Sequence, residues 1–297
     1  MPTPFKQVAI FGKPRAENIR DPLLEIAAIV SASGGTPLFE RETAERLDVT
    51  DFRALGEREL ANEADVAIVL GGDGTMLGIA RELAPFRVPL IGVNHGRLGF
   101  MTDIAREHMA EALPPILAGH YQTDERVLLE AEVRRAGRTT YRAVALNDVV
   151  VSRGVAGGMV EYTVRVDGVT MYNQRADGVI LATPTGSTAY ALSSNGPILY
   201  PSLAGLLLVP VAPQTLSNRP IVLPDSVVVE IEVTDVRDAS AHFDMQSYSE
   251  LAPGDIVRAH CSADTVVLLH PVGYNFFATL RQKLQWSVMP SEPHSRA

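Results

Sequence analysis

The chain has 297 residues, 46% of them hydrophobic and 21% charged, with a formal net charge of −9 at pH 7. This composition excludes wholesale disorder, and the length exceeds a single typical domain of about 100–200 residues, so two domains are expected. The negative balance would repel a phosphate backbone or an anionic bilayer over most of the surface, which argues against nucleic acid and membranes as partners.

Read in chain order, the N-terminus MPTPFKQVAI lacks a signal-peptide pattern, and the longest apolar stretch, at 203–211, falls well short of the ~20 residues of a membrane span. A cytoplasmic protein is expected. Apolar runs at 8–11, 66–70 and 88–93 alternate with amphipathic stretches, including a helix over 22–32 ended by Gly34 and Gly35 and another over 76–84. Such alternation predicts strand–helix–strand units around a parallel sheet, with 66–70 a central strand buried on both faces. A helix over 107–117 closes this region, with Gly119 and His120 beyond it.

From 121 the apolar period changes towards two, at 128–133, 162–166, 227–233 and 266–269. Asp167-Gly168 between two such runs predicts a type I′ hairpin. One short helix is expected at 187–194, with Thr185-Gly186-Ser187-Thr188 supplying the N-cap. Residues 276–286 have a helical pattern that would dock back on the first domain, and 290–297 form a polar, frayed tail. The expected division is therefore an α/β domain, 1–120, joined by a C-terminal helix, 275–290, and an all-β domain, 121–274. The single cysteine, Cys261, reads as a small buried apolar residue. Arg134, Arg135 and Arg138, beside a turn at Gly137, read as a solvated loop. His95, His242 and His270 have no metal-ligand spacing, and Ser193 and Ser194 lack a nucleophile elbow.

The strongest local signal is Gly71-Gly72-Asp73-Gly74-Thr75, after the buried strand and before a helix. Glycines at the end of a parallel strand admit a ligand close to the backbone, and the helix N-terminus offers free N–H groups to an anion, so phosphate is the natural ligand. The pattern matches neither the dinucleotide fingerprint nor the P-loop. With only Lys6, Lys13 and Lys283 in the chain, phosphate recognition must rest on arginine, backbone N–H groups or a metal. A carboxylate beside phosphate is repulsive unless it has a task. Asp73 would accept a proton from an attacking hydroxyl, or else bond its own backbone as a turn residue.

Separated blocks then agree in order: Gly71 to Thr75, Gly92-Val93-Asn94-His95-Gly96-Arg97-Leu98-Gly99-Phe100, Asn147-Asp148, Asp177-Gly178, Thr183-Pro184-Thr185-Gly186-Ser187-Thr188-Ala189-Tyr190, and Ser194-Asn195-Gly196-Pro197. Through these the chain resembles the NAD kinase family over nearly its whole length. The glycine loop is shared with phosphofructokinases and diacylglycerol-type lipid kinases, whereas the Thr183–Tyr190 block is narrower. The resemblance implies a Rossmann-like N-terminal α/β domain, a C-terminal β-sandwich, a cleft between them and a homo-oligomer, dimer or tetramer. It implies ATP with Mg²⁺ as donor and NAD as acceptor, phosphorylated at the 2′-hydroxyl of its adenosine ribose. Carried over by position, Asp73 is the general base, with Gly74 beside it and Gly71, Gly72, Gly74 and Thr75 forming the phosphate loop. Asn147, Asp148, Arg175, Asp177, Thr188, Ala189, Tyr190, Ser193 and Gln246 would contact NAD. Asp148 stands where relatives often carry glutamate. Asparagine suits adenine's edge, carboxylates suit ribose hydroxyls, and Arg175 would pair with pyrophosphate or with Asp177. On the residues alone, Asn147-Asp148 also reads as a turn leading into a strand, and no carboxylate cluster forms a dedicated metal site. The rival readings are a diacylglycerol-type lipid kinase and an NAD(P)-binding sensor without catalysis.

Overall fold

A computed structural model describes residues 4–13, 18–96, 99–154, 157–215 and 217–286. Arg97, Leu98, residues 287–290 of the expected C-terminal helix and the tail 290–297 lie outside the described residues. Two units emerge from the chain's contacts: Met1–Ile79, Val88–Asp124 and Val267–Ala297 make the first, Ala80–Arg87 and Glu125–Val266 the second.

The first unit alternates β1 (Gln7–Gly12), α1 (Arg20–Ala32), β2 (Thr36–Glu40), α2 (Arg41–Arg46), β3 (Arg53–Leu55), α3 (Glu57–Glu63), β4 (Val66–Gly71), α4 (Asp73–Leu83), β5 (Leu90–Asn94), β6 (Ile104–Ala105) and α5 (Met109–Leu117). Its main strands pair in parallel in the order β3-β2-β1-β4-β5. In such sheets ligands bind beyond the carboxyl ends where strand order reverses, which lies here between β1 and β4. All six residues of β4 are buried, as its unbroken apolar sequence demands of a central parallel strand. Pro22, Leu23, Ile26, Ala27 and Val30 form the buried stripe of α1, and Ile26, Ala27 and Val30 join Ile68, Leu70, Leu113 and Ile116 in one core. Gly34, at φ +88°, ends α1, and the Gly35 N–H returns to the Val30 carbonyl. The expected helix at 107–117 opens as a 3₁₀ turn, Arg106–His108, before becoming α5.

The second unit follows with β7 (Tyr121–Arg135), β8 (Arg138–Ala145), β9 (Asp148–Arg153), β10 (Val160–Val166), β11 (Val169–Ala176), β12 (Gly178–Ala182), α6 (Tyr190–Ser193), β13 (Gly205–Val211), β14 (Ile221–Pro224), β15 (Val229–Asp235), β16 (Ala239–Phe243), β17 (Ser247–Leu251) and β18 (Ile256–Pro271). The last residues of β18, together with α7 (Phe276–Leu284), belong to the first unit, where Leu268 pairs in parallel with Leu90 of β5.

One antiparallel layer of the second unit runs β11-β10-β15-β18, with β7 beside β18 and β8 beside β7. The other runs β14-β13-β12-β9-β16-β17. Alternate residues of both layers, among them Val149, Val151, Tyr162, Val164, Val179, Leu181, Ile231 and Phe243, share one core, which makes a β-sandwich. The hairpin turn at Asp167 and Gly168 has both φ positive, +49° and +78°, as a type I′ turn requires.

Two sequence expectations need correction, and one burial pattern needs explaining. Arg134 and Arg135 end β7 and Arg138 opens β8, with the turn confined to Ala136 and Gly137. The Arg135 guanidinium grips the buried Asp255 carboxylate through two bonds of 2.9 and 2.7 Å, and Arg134 pairs with Glu132, so these arginines are not a solvated loop. Cys261 is half-buried, and burial, with the charge of Asp225, pushes its thiol up to about 11. Finally, β12 is buried along its whole length although the sandwich covers only one of its faces. The outward Ile180 and Ala182, with Val150, Leu207 and Val209, are covered by Ala191 and Leu199. The segment 183–200 therefore lies against the outer face of this sheet.

Candidate functional site

In the first unit, β4 ends at Gly71 and α4 begins at Asp73. A side chain at Gly71 would meet Thr75 within 2.6 Å, whereas nothing lies within 4 Å of where one would project from Gly72. The loop is thus closed on the helix side and open on the other, as a phosphate cradle requires. Asp73 does not bond its own backbone. Its Oδ2 accepts the Phe100 N–H at 2.8 Å and its Oδ1 the Met101 N–H at 3.1 Å, with the Thr102 hydroxyl 3.5 Å away. A methyl at Gly99 would run into this carboxylate and into Thr102, and one at Gly92 into the Met101 carbonyl. These glycines are what allow 99–102 to reach Asp73. Asn94 braces the same stretch, donating from Nδ2 to Thr102 Oγ1 at 3.2 Å while Oδ1 accepts the Gly96 N–H. A carboxylate has about four acceptor sites, so Asp73 is oriented by these donors and still able to accept from an alcohol.

In the second unit, Asn147 and Asp148 lead into β9, and their position is set by Asp244. Its buried carboxylate accepts the N–H groups of Leu146, Asn147 and Asp148 at 2.9, 2.7 and 3.1 Å and pairs with Arg81 at 2.5 Å. Arg81 also donates to Gln246 Oε1 at 2.6 Å. Asp244 and Met245 both have left-handed φ, +51° and +55°, so the chain reverses between β16 and β17 over Asp244, Met245 and Gln246. Asp148 is 2% exposed, and burial, added to by the charge of Asp244, pushes its carboxyl up to about 7.

The Asn147 carbonyl accepts the Thr183 N–H and lies so close to Gly186 that a methyl there would collide with it. Thr183 Oγ1 donates to the Leu146 carbonyl at 2.5 Å and accepts the Gly186 N–H at 3.1 Å. Thr183 therefore does the capping expected of Thr185, which is helical in φ and ψ and makes no side-chain cap bond. Instead the Thr185 hydroxyl receives Arg126 at 3.1 Å. The expected single helix is split into a 3₁₀ turn, Gly186–Thr188, and α6, because Ala189 between them adopts φ −102°, ψ −126°. Ser187 Oγ donates to the Pro184 carbonyl at 2.6 Å and accepts the Leu199 N–H at 2.9 Å, tying the segment shut.

Tyr190, 38% exposed, stands between two grooves. One, of about 590 Å³, also takes in Ser193, Ser194, Asn195, Asn218 and Arg219. The other, of about 530 Å³, takes in Arg153, Asp177, Ser240 and His242. Burial lowers the His242 pKa. Asp177 pairs with Arg153 at 2.8 Å and Arg175 with Glu161 at 3.5 Å, so of the two alternatives for Arg175 the pair with Asp177 does not form. Neighbours two apart on one extended run point to the same face, but the run ends at Ala176 and each residue finds its partner on an adjacent strand. The fold brings Tyr190, Ser193 and Asp177 to these grooves and holds Asn147, Asp148 and Gln246 around Asp244, whereas Arg175 joins neither group. Arg81, Arg153 and Asp244 emerge only in three dimensions; Asp244 beside Gln246 was the nearest sequence signal. Among the described residues no group of three or more His, Cys, Asp or Glu could hold a metal ion, and no helix is long and apolar enough to cross a membrane.

Residues 8–121 match the family model of the ATP-NAD kinase N-terminal domain, and residues 146–270 that of the ATP-NAD kinase C-terminal domain. The chain is 58% identical to the NAD kinase of Ralstonia nicotianae over 290 residues, covering 98% of this chain and 96% of the relative. It is 56% identical to the NAD kinase of Cupriavidus pinatubonensis, covering 98% and 95%. Among solved structures, yeast NADH kinase complexed with NADH superimposes with a TM-score of 0.87 at 23% identity, over 99% of this chain and 91% of that one. An NAD kinase from Archaeoglobus fulgidus in complex with ATP gives 0.73 at 24% identity, over 95% and 100%.

Proposed function

This chain belongs to the NAD kinase family, and we propose that Asp73 is the base that takes the proton from the NAD hydroxyl during its reaction. The enzyme is an ATP-dependent NAD kinase, phosphorylating the 2′-hydroxyl of the adenosine ribose of NAD to give NADP. The hydroxyl oxygen attacks the γ-phosphorus, its proton passes to an Asp73 oxygen, and ADP leaves. Little covalent work falls to the protein in phosphoryl transfer; it positions reactants and offsets charge. Gly71, Gly72, Gly74 and Thr75, with the positive dipole end of the eleven-residue α4, receive the donor phosphates. ATP arrives with a divalent metal, which we assign as Mg²⁺; it would offset negative charge on the donor phosphates.

Asn147 reads the adenine edge, and Asp148 and Asp177 accept from ribose hydroxyls. Thr188, Ala189, Tyr190 and Ser193 line the dinucleotide, Gln246 closes on it from the hairpin, and Arg175 faces its pyrophosphate only by exchanging Glu161 for it. We assign the α/β domain to 1–120 with the C-terminal segment 275–290 and the sandwich to 121–274. We also assign the protein to the cytoplasm as a homo-oligomer, dimer or tetramer; exposed Ile221 and Val222 on β14, at the edge of its sheet, support the latter.

The observation that carries the base assignment is the Asp73 carboxylate held by two backbone N–H groups in a glycine-lined turn. Purified protein given ATP, Mg²⁺ and NAD forms NADP, and Asp73→Asn lowers turnover at least ~100-fold while NAD affinity stays within a few-fold. Turnover unchanged in that variant removes Asp73 from the role.

A further inference from the structure

His270, near the end of β18, takes no part in the chemistry described above, yet it is the most enclosed of the described histidines, with its side chain 1% exposed. Its Nδ1 lies 3.0 Å from Asp103 Oδ2. Its Nε2 stands 3.6 Å from Asp124 Oδ2, beyond a hydrogen bond and within ion-pair reach. Tyr274 stacks on the ring at 3.8 Å with planes 6° apart. Burial works against charge on this imidazole, but the two aspartates outweigh it and raise the pKa, so the carboxylates on either side favour the charged form of the ring. The other oxygen of Asp103 is buried with no hydrogen-bond partner among the described residues. His270 is thus what fixes the Asp103 side chain.

Asp103 directly follows Phe100, Met101 and Thr102, the three residues whose N–H and hydroxyl groups face Asp73. After it, β6 pairs with β5 through Val93 and Ile104. The stretch 99–103 is therefore held at one end by Asp73 and Asn94 and at the other by His270. We propose that His270 is a positioning residue for phosphoryl transfer: through its bond to Asp103 it sets the register of 99–103 and hence where the Asp73 carboxylate points. Losing the imidazole would leave both oxygens of the buried Asp103 carboxylate without a hydrogen-bond partner, so that the side chain turns towards water and draws its neighbours along. A shift of about 1 Å in a reacting group is enough to cost on the order of 100-fold in rate. The proposal rests on Asp73 being the base.

Two substitutions separate positioning from plain stability. The amide of His270→Asn occupies the place of Nδ1 and keeps a donor to Asp103, whereas that of His270→Gln reaches towards Asp124 and gives this donor up. His270→Gln is expected to lower kcat about 30-fold with the KM for NAD within about 2-fold, and His270→Asn to stay within about 5-fold of the parent. Amide hydrogen exchange at Phe100 and Met101 should quicken in His270→Gln and not in His270→Asn. On an Asp73→Asn background, His270→Gln should cost less than about 2-fold further, since the two act as one unit. Equal losses in both variants, full kcat in His270→Gln, or a full additional loss on the Asp73→Asn background overturns the proposal. Full activity in Asp73→Asn removes the base assignment and this inference with it, while an inactive Asp73→Asn beside an active His270→Gln removes this inference alone.

Discussion

The glycine turn of the α/β unit and the Asn147-Asp148 turn of the sandwich solve one problem with the same device used in opposite senses. In each, a carboxylate accepts consecutive backbone N–H groups. In the glycine turn the held group, Asp73, is the one assigned to the reaction, and the stretch 100–102 does the holding. In the sandwich Asp244 does the holding, with three N–H groups and Arg81 as partners, and its neighbour Asp148 is left for a ligand. Anchoring a turn and meeting a substrate are thus combined in one residue in the first place and divided between two in the second.

The division at Asp244 is the place to break that comparison with the largest effect. Asp244→Ala leaves Arg81 without its carboxylate and three N–H groups without an acceptor, and should lower the stability of the sandwich by about 3 kcal/mol, measurable by chemical denaturation. A loss below ~1 kcal/mol would show that Asp244 anchors nothing. Asp148→Asn tests the other half. With its folded pKa raised to about 7 above an ordinary aspartate, Asp148 binds its proton more tightly in the native state. Its contribution is therefore complete at acid pH and lost as pH rises from about 4 through about 7. The parent should lose on the order of 2 kcal/mol across that window relative to Asp148→Asn, seen as a Tm difference that grows between pH 5 and pH 8; a parallel pair of Tm profiles contradicts it.

Gly99→Ala sharpens the comparison at the glycine turn. The added methyl displaces the Asp73 carboxylate, and overpacking of this kind costs about 1.5 kcal/mol, with an accompanying fall of about 10-fold in kcat; parent-like kinetics would mean that the turn tolerates movement. Smallest of all, Arg153→Ala opens a pair with Asp177 whose side chains are 41% and 35% exposed. It should shift stability by under about 1 kcal/mol, and a larger drop in denaturant midpoint would reveal a structural role for the pair.

The first of these turns was legible in the sequence and the second only in part. Three glycines around an aspartate, after an apolar strand and before a helix, report local backbone constraints that follow from adjacent residues. The same holds for the Asp167-Gly168 hairpin and for the period change near 121. The anchoring of Asn147 depends on Asp244, 97 residues away, and on Arg81, 163 residues from Asp244, and no spacing rule connects them. The Arg175–Asp177 pairing failed for a related reason: strands adjacent in the sheet, Glu161 on one side and Arg153 on the other, supplied nearer partners. Even Asp73, singled out in the sequence, gave no hint that Gly99 and Gly92 let 99–102 approach it.

The stretch between β12 and β13 is long enough to be taken for a surface excursion, the usual site for a tag, an inserted domain or relocated termini. Here Ala191 and Leu199 complete the outer layer of a sheet and Ser187 locks the stretch to Leu199, so an insertion would unseat a hydrophobic layer. Engineers wishing to open this chain should cut at the exposed Asp167-Gly168 turn instead, which bonds only to Val228 beyond its own hairpin and bears none of the assigned ligand contacts.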